Sequence, residues 1–435
     1  MAFDFSIEPE FQEKLDWVRT FTAEKIEVLD HSFGGLDHET FDFRNEKTRP
    51  IVKMLQAEVK AAKLWNAHLD ARLGGLGYGQ VKMALLNEII GRTIWGPLVF
   101  GCQAPDSGNS KILAIYGTPD QKERYLKPLL NGDTVSCFSM TEPEGGSDPT
   151  EFHTTAVEDG DEWVINGEKW FSSQACYADF LIVVAKTDAD APRHQRLSMF
   201  LVPADTPGIE IVRNTGIWLE PLDEGSHGYV RYTNVRVKKD HILGKRGEAF
   251  LVAQARLGGG RIHHAMRTLG LCHKAMDMML ERAKSRPAKG GALGDLGIVQ
   301  NDIAKCWAQL QQFRLMVLQT AWYYDQDDQE NIKLWTSALK STTPTVAHDI
   351  FWTSMHLHGS LGVSNEMNFG RLIRRAASMG VADGPTEVHR INVARQLLKK
   401  VKPHAGLFPS EHVIAKREWA LPIASRMLAE ATAEA

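Results

Sequence analysis

The sequence predicts an α+β protein in which a β domain interrupts two helical ones. Three observations carry this. Apolar residues recur at helical intervals over 1–133, and short runs rich in β-branched and aromatic residues replace them over 134–245. The helical interval then returns over 246–402. The strand-like runs have no helices between them, which argues against a doubly wound parallel sheet. At 435 residues the chain exceeds one ordinary core, so two or three domains are expected.

In the first zone, "FQEKLDWVRTFTAEKI" and "VKMALLNEIIGRT" read as amphipathic helices, separated by glycine-rich stretches such as "RLGGLGYGQ" (72–80). The second zone contains "TVSCFSM", "EWVINGEKWFSS", "DFLIVVAK", "LSMFLVP", "IEIV" and "YVRYTNVRV", with turn signals "EDGDE", "NG" and "PADTPG" between them. This is the pattern of a middle antiparallel β domain. The third zone holds "GRIHHAMRTLGLCHKAMDMMLERAKS", "GIVQNDIAKCWAQLQQFRLMVLQTAWYY", "QENIKLWTSALKSTTPTVAHDIFWTSMHLHG" and "PTEVHRINVARQLLKKV". Those four stretches suit a C-terminal four-helix bundle, with Met and aromatic stripes as its core. Residues 403–435 form a tail of unassigned role, and the sequence has no internal repeat.

Composition narrows the function classes. Hydrophobic residues make up 43% and charged residues 24%, the balance of a soluble globular enzyme. A net charge of -4 gives no reason to expect nucleic acid, and "RLIRR" (371–375) reads as a solvated helix face. No apolar run approaches the roughly twenty residues of a membrane span. The five cysteines are scattered and form no CxxC, so neither disulfides nor a metal site is expected. The opening "MAFDFSIEPEF" lacks an apolar core with basic flanks and is not a signal peptide. A cytoplasmic location follows, or a mitochondrial or peroxisomal matrix if a transit peptide is missing.

Four stretches could carry chemistry. "FSMTEPEGGSDP" (138–149) runs from a strand into an acidic, glycine-rich turn whose amides and hydroxyls could hold an anion or a polar ring edge. It could equally be a tight loop. "NGEKWFSSQA" (166–175) sets aromatic residues beside two serines at a strand end, as sheet packing or as a stacking surface. "HLHGSLGVSNE" (356–366) ends a helix in glycines, and its histidines lack zinc-site spacing. In "VADGPTEVHRINVARQLL" (381–398), Asp383 precedes Gly384 and Pro385 at a helix start, where it could serve only as a cap.

Together these stretches resemble the acyl-CoA dehydrogenase family over about residues 5 to 400. "MTEPEGGSDP" is similar to its T-E-P-x-x-G-S-D segment and "INGEKWFSS" to its I-N-G-x-K-x-W-I-T segment. "HGSLGVSNE" resembles G-G-x-G-x-x-x-E, and "DGPTEVHRINVAR" resembles E-G-T-x-x-I-Q-R-x-x-x-A-R. The wording "FGCQAPDSGNSKILAIYGTPDQKERYL" and "ADGPTEVHR" resembles the branch containing vertebrate members ten and eleven.

The resemblance implies an acyl-CoA dehydrogenase-like fold with FAD between the β domain and the C-terminal helices, and oxidation of an acyl-CoA to its trans-2-enoyl-CoA. By position, Phe138, Met140 and Thr141 would lie along the flavin, and Ser147 near its phosphates or the CoA portion. Phe171 would stack on the ring, with Ser172 beside it and Ser173 supplying the hydroxyl at flavin N5. Arg286 and Gln300 would reach the FAD of a neighbouring subunit, although the family's T-F-G reads "PAKGG" here. Gly359 and Ser360 would turn at the pyrophosphate, with His356 in place of a usual Gln. Arg261 and Gly384 would lie at the substrate.

Asp383 would be the catalytic base, where many members carry Glu, while a backbone N–H there helps hold the thioester oxygen. Asp is shorter by about 1.5 Å, so the site must compensate. Pro385 replaces a Thr, and Glu387 a Gln. An electron-transfer flavoprotein as acceptor and a homodimer or homotetramer are further implications. Two alternatives keep the fold: a flavin oxidase acting on a non-CoA carbon acid such as a nitroalkane, and a non-catalytic scaffold.

Overall fold

In the computed structural model, which describes residues 3–33, 42, 45–218 and 220–433, the N-terminal amphipathic stretches are helices. Met1 and Ala2 of the acidic opening segment lie outside the described residues. The principal helices are α1 (Pro9–Phe21), α2 (Arg49–Ala61), α3 (Gln80–Ile90) and α4 (Asp106–Tyr116). Helix α1 opens on a proline and buries Phe11, Leu15, Val18 and Phe21, one stripe of a 3.6-residue period.

The middle zone forms a seven-stranded sheet: β1 (Ser136–Ser139), β2 (Thr155–Asp159), β3 (Glu162–Ser173), β4 (Phe180–Lys186), β5 (Leu197–Pro203), β6 (Ile209–Thr215) and β7 (His227–Lys238). The order is β1-β4-β2-β3-β7-β6, with β5 on the other edge of β4. Pairing is antiparallel except that β1 runs parallel to β4, and β2 meets β4 in parallel at Thr155 and Lys186. The parallel pair departs from the all-antiparallel expectation. Its two strands are separated by β2 and β3, a connection long enough to return the chain in the same direction.

Both faces of the central strands are covered, which explains the unbroken apolar run of β4. On one face Ile182 and Val184 pack with Ile112 and Leu113 of α4. On the other, Leu181 and Val183 pack with Ile165 and Val230.

The third zone holds α5 (Ala249–Ser285), α6 (Gly297–Asp325), α7 (Gln329–Leu357) and α8 (Phe369–Met379). Helices α5, α6 and α7 pack on one another, α5 and α6 also pack on α3, and all four share one core that includes Val18, Ile90, Met266, Phe313 and Phe351. Val252 and Ala253, at the start of α5, belong instead to the core under the sheet. Helix α5 therefore ties the β domain to the bundle. The stretch after Pro385 is helical as expected, α9 (Thr386–Leu398), but only Thr386 and His389 on it are buried. Residues Met1–Arg390 cluster as one compact unit and Ile391–Ala435 as another, so α9 begins in the first and ends in the second. The second unit contains α10 (Val413–Ala433), which exposes Trp419, Leu421 and Met427. Among the described residues no helix is long and apolar enough to cross a membrane. No disulfide joins any of the five cysteines.

The basic "RLIRR" segment is not a solvated face. It lies in α8, where Phe369, Leu372, Ala376 and Met379 are buried against the bundle. Arg374 is buried too, because its guanidinium donates to Glu220 at 3.1 Å, with both side chains at 10% exposure or less. Glu220 also accepts the Ile217 N–H at 2.7 Å, so this pair pins the loop after β6 to the bundle. Arg374→Met strands a buried carboxylate and should lower the unfolding free energy by about 3–5 kcal/mol, whereas Arg374→Met with Glu220→Leu should recover most of it. Urea denaturation of the three proteins measures this.

Candidate active site

Asp383 lies in the turn between α8 and α9 with φ 56°, and Gly384 follows at φ 109°. Aspartate tolerates the left-handed region better than most residues, and glycine enters it freely. A Cβ at Gly384 would also meet His389 Nε2 at 2.9 Å. The turn is held from outside: Arg261 Nε donates to the Asp383 carbonyl at 3.0 Å, and His389 Nε2 lies 3.3 Å from the same oxygen.

Capping is not the role of this carboxylate. The Thr386 N–H donates instead to the Gly380 carbonyl at 2.9 Å. The Asp383 side chain, 17% exposed, turns onto α5, where Oδ2 lies 3.6 Å from His264 Nε2. It would lie 2.9 Å from a Cβ at Gly260. Among the described residues neither the Asp383 nor the Gly384 N–H has an acceptor. Two free amides beside one inward carboxylate form a donor pair next to a proton acceptor.

The surroundings are cationic. Arg256, Arg261 and Lys340 all feel the Asp383 charge. Burial brings the Lys340 ammonium down to about 8 while Asp383 opposes it, and its Nζ donates to the Met379 carbonyl. Burial, aided by Arg375 and other cations, keeps His264 well below the usual histidine range. Its contact with Asp383 is therefore not an ion pair at neutral pH, and its Nδ1 is buried without a partner.

Phe138 joins this cluster through Arg256, whose guanidinium lies 3.9 Å from the ring centroid. Arg256 Nε donates to Asn109 at 2.8 Å, and Asn109 donates to Ser136 Oγ at 2.9 Å. Asp106 accepts both the Ser136 N–H and its hydroxyl. Helix α4, strand β1 and helix α5 thus meet in one network.

The turn after β1 is fastened by a second buried pair. Lys169, fully buried, donates to the Met140 carbonyl at 2.8 Å and to Glu142 at 2.9 Å. Glu142 also accepts the His153 and Thr154 N–H groups. The Trp170 N–H donates to the Thr141 carbonyl at 2.8 Å, so Met140 and Thr141 lie beside the end of β3. There Phe171, φ 50°, is 42% exposed beside Trp170 and His227. Ser173 Oγ lies 2.8 Å from His227 Nδ1. An exposed aromatic face flanked by a hydroxyl suits a flat ring system, so these residues fit FAD. Ser172, expected at the same surface, is fully buried and bonds Ser139 Oγ at 2.9 Å. It supports the sheet from inside. Ser147 is exposed on the preceding turn.

The remaining expected residues lie at helix ends. Arg286 and Gln300 flank the 286–296 connection between α5 and α6, where Gln300 Nε2 donates to the Gly294 carbonyl at 3.0 Å. His356 packs against Trp352 at the end of α7, and Gly359, φ 66°, and Ser360 follow it. All five are exposed. A small recess opens beside Gly260, lined by His68, Lys111, Arg256, His263 and Tyr324 among others. Sequence reasoning had not singled these out. The one local signal was "GGG" (258–260) inside an otherwise helical stretch.

The chain matches family models along its length: acyl-CoA dehydrogenase N-terminal domain over 8–133, middle domain over 137–235 and C-terminal domain over 247–398. The chain belongs to the acyl-CoA dehydrogenase family. FadE2 of Mycobacterium tuberculosis, named as a candidate acyl-CoA dehydrogenase, is 40% identical over 387 residues, covering 86% of this chain and 93% of that protein. Acyl-CoA dehydrogenase family member 10 of Mus musculus is 37% identical over 358 residues, 80% of this chain and 34% of that protein. Family member 11 of Homo sapiens is 35% identical over 354 residues, 80% of this chain and 45% of that protein. The chain thus spans a third to a half of the length of these vertebrate relatives. A solved chain from Mycobacterium abscessus, titled as a candidate acyl-CoA dehydrogenase, is 37% identical with TM-score 0.84, covering 91% of this chain and 99% of that one.

The recess has a consequence for stability. Burial, with Arg267 and Lys111 adding to it, pushes His68 down to about 3 from an ordinary 6.5. Below pH 6.5 the unfolded chain takes up a proton that the native His68 refuses, so stability falls as pH drops toward 3. The loss is about 1.4 kcal/mol per pH unit. His68→Gln should make the drop between pH 7 and pH 5 smaller by about 2 kcal/mol, read from urea midpoints at the two pH values.

Proposed function

We propose that this chain is an FAD-dependent acyl-CoA dehydrogenase forming a trans-2-enoyl-CoA, with Asp383 as the base that removes the α-proton. The observation that carries the proposal is the inward carboxylate of Asp383, held against Gly260 in a left-handed turn with two free amides beside it. A thioester α-proton is weakly acidic and leaves only when a base touches it while the carbonyl oxygen is stabilised. Asp383 takes the proton, and the unpaired N–H groups of Asp383 and Gly384 are the donors offered to the oxygen. FAD, when bound, supplies the acceptor at N5 for the β-hydride that departs as the double bond forms. Phe171 and Ser173, with Met140 and Thr141 beside them, would hold the ring, and Phe138 would border it.

The shorter side chain is accommodated at Gly260. With no side chain at that position, the turn can lie directly on α5, which offsets the missing methylene of the more usual glutamate. The exposed Arg286 and Gln300 are the positions through which a homodimer or homotetramer would share its cofactors, and Gly359 and Ser360, with His356, would turn at the pyrophosphate. An electron-transfer flavoprotein is the expected acceptor.

Anaerobic mixing of the FAD-loaded protein with an acyl-CoA should bleach the flavin. Asp383→Asn should slow that bleaching by about 10²- to 10⁴-fold. Unaltered bleaching in the variant would remove Asp383 from the reaction.

Gly260→Ala separates catalysis from folding. Alanine improves the helix by about 1 kcal/mol. Its methyl would nevertheless stand 2.9 Å from Oδ2 and displace the carboxylate. Thermal stability should hold or rise while flavin reduction slows about 100-fold.

A further inference from the structure

The recess beside Asp383 has an unusual lining for a pocket that would take an acyl chain. None of its ten lining residues has an aliphatic side chain. Lys111 reaches into it from α4, and its Nζ lies 3.6 Å from the position of a Cβ at Gly259. No hydrogen bond or ion pair satisfies that ammonium among the described residues. Burial holds it below the usual lysine range, with Asp70 opposing that shift and Arg72 adding to it. Arg256 packs over Gly108, one turn earlier on the same helix. His263 Nε2 lies 3.0 Å from Gln80 Oε1, and the Tyr324 hydroxyl donates to the Gly258 carbonyl at 3.0 Å. Both His68 and His263 stay neutral through burial, so the cations of the lining are Lys111 and Arg256.

A methyl-terminated chain entering this space would strip water from an ammonium and give nothing in exchange. A carboxylate would meet it as an ion pair, with neutral donors around. We propose that this recess receives an acyl chain ending in a carboxylate, and that Lys111 is the residue that selects it. The inference rests on the dehydrogenase reading, because the recess is taken as the continuation of the thioester beyond Asp383. The carboxylate of the substrate would lie at Lys111 while its α-carbon lies at Asp383, on opposite sides of the Gly258–Gly260 run.

Matched acyl-CoAs test this on the FAD-loaded protein: glutaryl against valeryl, adipyl against hexanoyl, suberyl against octanoyl. Equilibrium binding is measured by calorimetry, and flavin bleaching separately. In at least one pair the carboxylate-bearing thioester should bind about tenfold tighter than its neutral partner, the scale of a hydrogen bond to a charged group. Lys111→Met should erase that ratio, weakening the carboxylate-bearing thioesters and tightening the neutral ones that no longer desolvate an ammonium, and Lys111→Arg should retain it. The proposal is overturned if the neutral member binds as tightly in every pair, or if Lys111→Met leaves the ratio intact. Bleaching by hexanoyl-CoA without any preference would sink the recess and spare the dehydrogenase reading. Tighter, Lys111-dependent adipyl-CoA binding with no bleaching by any thioester would do the reverse.

Discussion

Gly258, Gly259 and Gly260 sit in the interior of a 37-residue helix, where each is less favourable than alanine by about 1 kcal/mol. Their effect is to expose the backbone of α5 along one short patch. Three side chains from three different elements converge there. The Tyr324 hydroxyl lies 3.5 Å from a Cβ position at Gly258, Lys111 Nζ 3.6 Å from one at Gly259, and Asp383 Oδ2 2.9 Å from one at Gly260. A Cβ at Gly260 would push Asp383 away, whereas those at Gly258 and Gly259 would stand in ordinary contact with Tyr324 and Lys111. The bundle around α5 absorbs the propensity loss through burial of Met266, Leu269 and their neighbours, so the helix persists where its own sequence would weaken it.

Buried charge pairs do a different task. Lys169 with Glu142 and Arg374 with Glu220 add little net stability compared with apolar residues of similar size, since desolvation offsets their attraction. What they specify is which loop lies where. Glu142 can satisfy its oxygens only by folding the turn after β1 onto the ammonium of β3, and that sets Met140 and Thr141 beside the exposed ring of Phe171. Glu220 holds the loop after β6 against α8 by the same logic. The two pairs position backbone segments that no apolar contact alone would register.

The zones and the motif turns were legible because their signals are local: the interval of apolar residues, glycine and proline punctuation, and a few ordered segments. The rest depended on partners distant in the chain. The parallel pairing of β1 with β4 leaves no mark on either strand alone. The inward turn of the Ser172 hydroxyl follows a shift in the register of β3 between Lys169 and Ser172, where one residue of phase turns a side chain over. Arg374 read as solvated since its carboxylate partner lies 154 residues away. Lys111, His68 and Tyr324 come from three separate elements, and only their meeting at the glycine patch makes a recess of them.

On the proposed reading, the electrostatics of the recess and of the base belong together. Arg256, Arg261 and Lys340 surround one carboxylate, and His264 beside it contributes no charge at neutral pH. Proton transfer from the thioester to Asp383 moves negative charge from the carboxylate to the carbonyl oxygen without changing the total in the site. A cationic shell that stabilises the carboxylate before the step can therefore stabilise the enolate after it, provided the oxygen stays within reach of the same shell and of the two free amides. Lys111 extends this positive field away from the reacting carbons, in the direction the acyl chain would take. A carboxylate at the far end of the substrate would be held there by Lys111 rather than repelled by Asp383, so the interior would select for a negative charge at that one end of the chain it receives.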